Sequence, residues 1–197
     1  MSHAIGIRLK RADAPYPPTA SRFFGSPKIP LEWMVCELYE NDLFFCQLRL
    51  ADLAPHDPDG ILPHTGYLYV FLQMHGNATP TARVMYFDGK PDYLGLDFNE
   101  DVEGYEHLTE PWEMEFEAVD ADAPCTRLLG RPTVWQGACE PPPLLLQFDP
   151  SETRTGFLSG LDGYLCLFFD PEDASWDRIR ARIIPKGSAE HPKNTKP

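Results

Sequence analysis

The 197 residues carry a net charge of −13 with 43% hydrophobic and 12% aromatic residues, a globular composition long enough for one core or for two small halves sharing one. Residues 91–126 contain twelve acids and no lysine or arginine, which argues against nucleic acid, whose phosphate backbone requires clustered positive charge. No stretch approaches the ~18 apolar residues of a membrane span, the first eleven residues lack the apolar run of a secretory signal, and the five cysteines form no C-x-x-C pair, so the chain is expected in the cytoplasm with free thiols.

In chain order, Ile5, Ile7 and Leu9 alternate with Gly6, Arg8 and Lys10, the period of two of a strand. Ala12-Asp13-Ala14-Pro15 follows as a turn, because proline fixes φ. Next come Arg22-Phe23-Phe24-Gly25-Ser26-Pro27 and Trp33, in a stretch (28–42) that reads as either a short helix or a strand. The chain from Trp33 to Leu50 reads as largely extended, with Gln47 set in the apolar run 43–48. Residues 54–65 form a proline-rich loop, 67–72 and 82–87 read as strands, and 88–111 as an acidic connector. Trp112, Met114, Phe116 and Ala118 then alternate with Glu113, Glu115 and Glu117, a strand with one wet face of glutamates. Three prolines (141–143) precede a strand at Leu144, residues 170–176 suggest one helical turn, and Arg178, Arg180 and Arg182 alternate with Ile179, Ala181 and Ile183. This last strand has a basic face and is expected beside the glutamate strand. The tail, 185–197, reads as disordered.

Several of these blocks occur twice. Ala121-Asp122-Ala123-Pro124, Arg127-Leu128-Leu129-Gly130-Arg131-Pro132, Trp135, Gln147 and Gly163-Tyr164-Leu165 repeat the order of the first half, Gly163-Tyr164-Leu165 answering Gly66-Tyr67-Leu68. The offset falls from 109 to 105, 100 and 97, as expected when one unit is copied and loops shorten. Copies of ~75–85 residues are marginal for separate cores, so the two halves are expected to pack together. The expectation is an α+β, predominantly β fold: a tandem duplication of a small mostly-β unit about a pseudo-two-fold axis, packed as one globule. Residues 1–87 form the first repeat and 112–184 the second.

The pattern G-x-P, then tryptophan, then an apolar run with glutamine, then a Gly-Tyr-Leu strand ending in phenylalanine resembles the YwqG-like family of bacterial proteins of unknown function. The resemblance rests on residues 43–48, 62–68, 84–88, 129–136, 145–148 and 163–168, and spans roughly 20–184. Gly25-Ser26 departs from the Gly-Gly often seen there. It implies a duplicated, mostly β fold without established activity. A distant similarity to eukaryotic programmed-cell-death and ribosome-maturation chaperones suggests binding of protein segments.

A buried glutamine must find partners for two donors and an acceptor. Gln47 and Gln147 therefore either satisfy loop backbone within their own halves or face a shared groove and hold a ligand's main chain. Trp33 and Trp135 are lids on the core or groove walls, and Arg22 and Arg127 partner nearby acids or carbonyls; these six residues are the candidate binding set. Asp97-Phe98-Asn99-Glu100-Asp101 begins like a calcium loop, but Val102 replaces the turn glycine and Leu108 the final glutamate. His56, Asp57, Asp59 and His64 match no four-ligand zinc spacing. No nucleophile elbow or phosphate-binding glycine loop occurs. The sequence thus points to a binding module without cofactor or metal, its partner a protein or peptide held between the repeats or on the acidic face. The alternative is a cytosolic hydrolase or transferase using carboxylates in that cleft.

Overall fold

A computed structural model describes residues 3–13, 15–39, 41–76, 78–173 and 175–186. The strands are β1 (His3–Arg11), β2 (Arg22–Phe23), β3 (Lys28–Ile29), β4 (Leu43–Arg49), β5 (Tyr67–Gln73), β6 (Thr81–Phe87), β7 (Tyr93–Leu94), β8 (Trp112–Asp120), β9 (Arg127–Leu128), β10 (Leu144–Phe148), β11 (Gly163–Phe168) and β12 (Arg180–Pro185). Two short helices, α1 (Leu31–Cys36) and α2 (Leu50–Leu53), complete the elements used below. Ten strands form one antiparallel sheet in the order β12-β11-β10-β9-β1-β8-β2-β4-β5-β6, and β3 pairs with β7 separately. The edge strands β6 and β12 approach within 8 Å between Cα atoms without pairing, so the sheet is a nearly closed barrel.

Alternation decides which side chains enter this barrel. Ile5 and Ile7 of β1, Phe45 and Leu48 of β4, Val70 of β5, Val84 of β6, Phe148 of β10 and Leu165 of β11 share one buried cluster. At its centre Phe23, Phe45 and Phe148 meet with ring centroids 5.0–5.1 Å apart. Burial of each such ring contributes about 1.5–3 kcal/mol. The outer face of the sheet is covered at both ends. Trp33 on α1 packs over Tyr69 and Phe87, at 5.3 and 5.8 Å between centroids. Trp135 packs over Phe168 at 5.9 Å.

The central pair is β1 and β8, in a register that sets Arg8 opposite Glu115 and Lys10 opposite Glu113. Arg8 Nη2 lies 2.9 Å from Glu117 Oε2, and Lys10 Nζ lies 3.2 and 3.3 Å from Glu113 and Glu115. The glutamate face is therefore met by β1, which corrects the expectation that the arginine strand lies beside it. That strand, β12, is at the edge of the sheet, and its Arg182 lies over the Trp135 ring instead. Both Arg8–Lys10 and Arg178–Arg182 offer the right charge, and a period of two cannot say which strand is the neighbour.

Three further segments are decided by the tertiary structure. Of the helix and strand alternatives for 28–42, residues 31–36 take the helix, which replaces the extended chain expected from Trp33 onward, and Trp33 reaches the sheet from one face of that turn. Where one helical turn was expected over 170–176, the described residues are not helical: Asp170 accepts from the Glu172 amide and Asp173 from the Ser175 amide. The connector 88–111 is folded onto the body. β7 pairs with β3, Val102 and Leu108 are buried, and Asn99 exchanges bonds of 2.8 and 3.0 Å with the Phe44 backbone. That carboxamide is thus unavailable to a calcium ion. Asp57, in the loop whose spacing fits no zinc site, accepts from the Ile61 and Leu62 amides, a turn role.

Of the tail, residues 187–197 lie outside the described residues; Pro185 still belongs to β12. Lys186 Nζ bonds Asp149 Oδ1 at 2.6 Å and Ser151 Oγ at 3.1 Å. Burial alone would raise the Asp149 carboxyl, but Lys186 and the Ser151 donors outweigh it and hold the group below the usual range. A depressed carboxyl adds stability above its unfolded value of about 3.9, lost as pH falls through the folded value. Asp149→Asn is expected to cost about 1 kcal/mol at neutral pH and to flatten the acid limb of the stability curve below about pH 4. Urea titrations at several pH values read both; an unchanged acid limb would contradict this role.

Candidate functional site

The side-chain hydrogen bonds and ring contacts of the six residues singled out in the sequence lie within their own halves. Arg22 is buried and donates to the carbonyls of Pro17, Ala20 and Ser26. Arg127, fully buried, donates to Ala123 O and Leu129 O at 2.9 Å each, and to Arg131 O. Burial lowers the pKa of both guanidinium groups. The chain must turn back sharply to present those carbonyls: Phe24 and Leu129 have φ of 54° and 61°, followed by Gly25 and Gly130 at 75° and 80°. At Gly130 a side chain would overlap the Ala121 carbonyl oxygen, so only glycine fits the Arg-x-x-Gly block.

The glutamines close the same loops. Gln47 Oε1 accepts from Lys28 N at 2.8 Å, and its amide donates to Pro18 O and Ala20 O. Gln147 Oε1 accepts from Thr133 N at 3.0 Å, and its amide donates to Cys125 O and Thr133 Oγ1. Of the two alternatives in the sequence, the geometry is that of loop satisfaction. The tryptophans are lids over the two ends of the sheet, and Trp33 also walls a small cavity of about 330 Å³ between β6 and residues 175–177 of the second half. Two partners of this device escaped the sequence reading. Ser21 Oγ and Thr126 Oγ1 each accept a backbone amide at 2.9 Å, from Arg49 and Asp149 respectively. Their position one residue before each arginine was the available signal.

The concave surface lies elsewhere, at one mouth of the barrel between its two ends. A groove of about 1140 Å³ is walled by Tyr39, Asn41 and residues 73–76 from the first half, residues 102–105 and His107 of the connector, and Gly156 and residues 158–161 of the second half. Tyr39, Met74, Tyr105 and Leu158 supply its apolar surface. Three of its glycines, Gly76, Gly104 and Gly160, have open space where a side chain would be, leaving backbone accessible. The loops are held in shape locally. Gly104 N donates to Glu106 Oε1 at 2.9 Å, which holds that carboxyl below its usual range, and His75 Nε2 lies 3.0 Å from Thr81 Oγ1. Tyr105 packs on the core ring Phe157 at 6.0 Å. No motif announced this groove, because four segments distant in sequence build it; the recurrence of glycine in three of them was the trace.

Chemically the groove offers aromatic faces, bare backbone and isolated polar groups. Among the described residues no three His, Cys, Asp or Glu side chains are grouped to hold a metal ion. Both strand thiols in the core are held protonated by burial, Cys166 pushed up to about 12 and Cys46 higher. Among the described residues no helix is long and apolar enough to cross a membrane. The chain matches no protein-family model and none of the curated proteins searched.

Proposed function

We propose that the chain is a cytoplasmic, non-catalytic binding module of the YwqG-like kind, which holds a peptide segment of a partner protein in the groove between its halves. The observation that carries this is the groove itself. Its volume of about 1140 Å³ exceeds the ~300–1,000 Å³ of small-molecule sites, and its walls combine aromatic surface with exposed glycine backbone, the means by which peptides are held.

We also infer a tandem duplication about a pseudo-two-fold axis between β1 and β8. Support comes from the strand order, which runs outward as β1, β9, β10, β11, β12 on one side and β8, β2, β4, β5, β6 on the other. Further support is the repetition of the arginine corner, the glutamine, the Ser/Thr hydroxyl and a bulge at the same place, between Phe44 and Cys46 and between Leu144 and Leu146. A groove at the seam of two copies belongs to neither alone, which is where a new binding surface arises after duplication.

Gly160→Trp tests the site. The position has room for a side chain and lies outside the left-handed region, so the indole fills the groove while the barrel still folds. The expected result is that peptides enriched by the wild-type protein from a random display library lose at least about tenfold in affinity for the variant. Enrichment indifferent to the indole would remove the groove from consideration.

A further inference from the structure

Beside the groove lies a second cavity of about 600 Å³ with a different character, lined by Arg11, His107, Glu110, Trp112, Arg154 and Thr155 among others. The two cavities meet at His107, which lines both. The loop bearing Arg154 is anchored on each side. Thr153 and Phe157 are buried, Thr153 and Thr155 hydroxyls lie 3.0 Å apart, and Phe157 N donates to Thr155 Oγ1. Arg154 itself meets no carboxylate among the described residues, in a chain with thirty acids. Arg11 pairs with Glu110 at the opposite wall. Glu110 neutralises Arg11 within the cavity lining, so Arg154, beside the His107 imidazole, is the guanidinium there without a carboxylate among the described residues.

We propose that this cavity receives the C-terminal carboxylate of the bound peptide, with the unpaired Arg154 as its partner. The inference rests on the groove reading and adds polarity and chemistry to it. A guanidinium accepts a carboxylate through two parallel N–H···O bonds, so an isolated anionic group is recognised there by geometry as well as charge. The acidic connector walls the groove through Glu103 and repels an acidic peptide body. Negative charge is therefore tolerated at one place, and a chain end supplies one such charge on an otherwise neutral or basic segment. The ring of Trp112 offers apolar surface to the last side chain.

Arrays of random octapeptides, anchored through their N-termini and ending either in the free acid or in the amide, test this directly. The wild-type protein is expected to bind acid-ended peptides about tenfold or more above their amides. Arg154→Gln should erase that preference while leaving the thermal unfolding transition in place, since the side chain is exposed and unpaired. Equal binding of acids and amides, lost on Gly160→Trp, would overturn the carboxylate proposal and leave the groove reading standing. Binding of neither array would remove both. If acetate or inorganic phosphate at about 1 mM shifts the His107 imidazole signals in an Arg154-dependent way, while acid-ended peptides show no advantage, the cavity is a small-anion site and the proposal fails.

Discussion

Arg127→Met is expected to be the most damaging single substitution in this protein. The guanidinium is fully buried and its donors meet three carbonyls, from Ala123, Leu129 and Arg131. Each carbonyl left unpaired costs about 1–3 kcal/mol. Removing a charge that burial already disfavours, as its lowered pKa indicates, returns part of that sum. The net loss should be about 3–5 kcal/mol, a large share of the stability of a domain this size. Equilibrium urea unfolding measures it. Arg127→Lys should rescue little, because one ammonium cannot span the three acceptors in the guanidinium fork. A loss below about 1 kcal/mol would mean that water reaches the loop and that the corner is not held by this side chain.

The second large effect concerns the halves. Fragments 1–111 and 112–197 expressed separately are expected not to fold, and to recover a cooperative transition when mixed. The reason is the exchange of first strands. β1 pairs with β8 and β9, both from the second half, while β8 pairs with β1 and with β2 of the first. Each fragment would keep its own β4-β5 or β10-β11 hairpin but lose the strand completing its sheet, exposing edges and the Phe23–Phe148 contact. Circular dichroism and urea melts of each fragment and of the mixture decide this. A fragment that melts cooperatively alone would show that its core does not depend on the other half.

Much of the architecture was legible because it is written in local pattern. The alternation at Ile5-Ile7-Leu9 and at Trp112-Met114-Phe116 marked β1 and β8, and the Gly-Tyr-Leu blocks marked β5 and β11. The Arg-x-x-Gly blocks were visible as repeats, and their role as carbonyl clamps was among the readings of Arg22 and Arg127. Residues 31–36 were ambiguous because one apolar turn fits a helix or a strand equally. The docking of the connector was hidden because it depends on one residue, Asn99, finding the backbone of β4. The groove was less legible still: Tyr39, His75, Tyr105, His107 and Ser159 are unremarkable one by one, and only their convergence makes a surface.

Taken alone, the amino-acid order determined which segments are strands, which face of each is apolar, and where glycine and proline force the chain to turn, since these follow from the conformational limits of neighbouring residues. The tertiary structure decided which strand lies beside which, that Arg8 and Lys10 rather than Arg178, Arg180 and Arg182 meet the glutamates of β8, and that a cleft opens between the halves. Those outcomes depend on contacts between residues about a hundred positions apart, and a two-residue period carries no information about the identity of a distant neighbour.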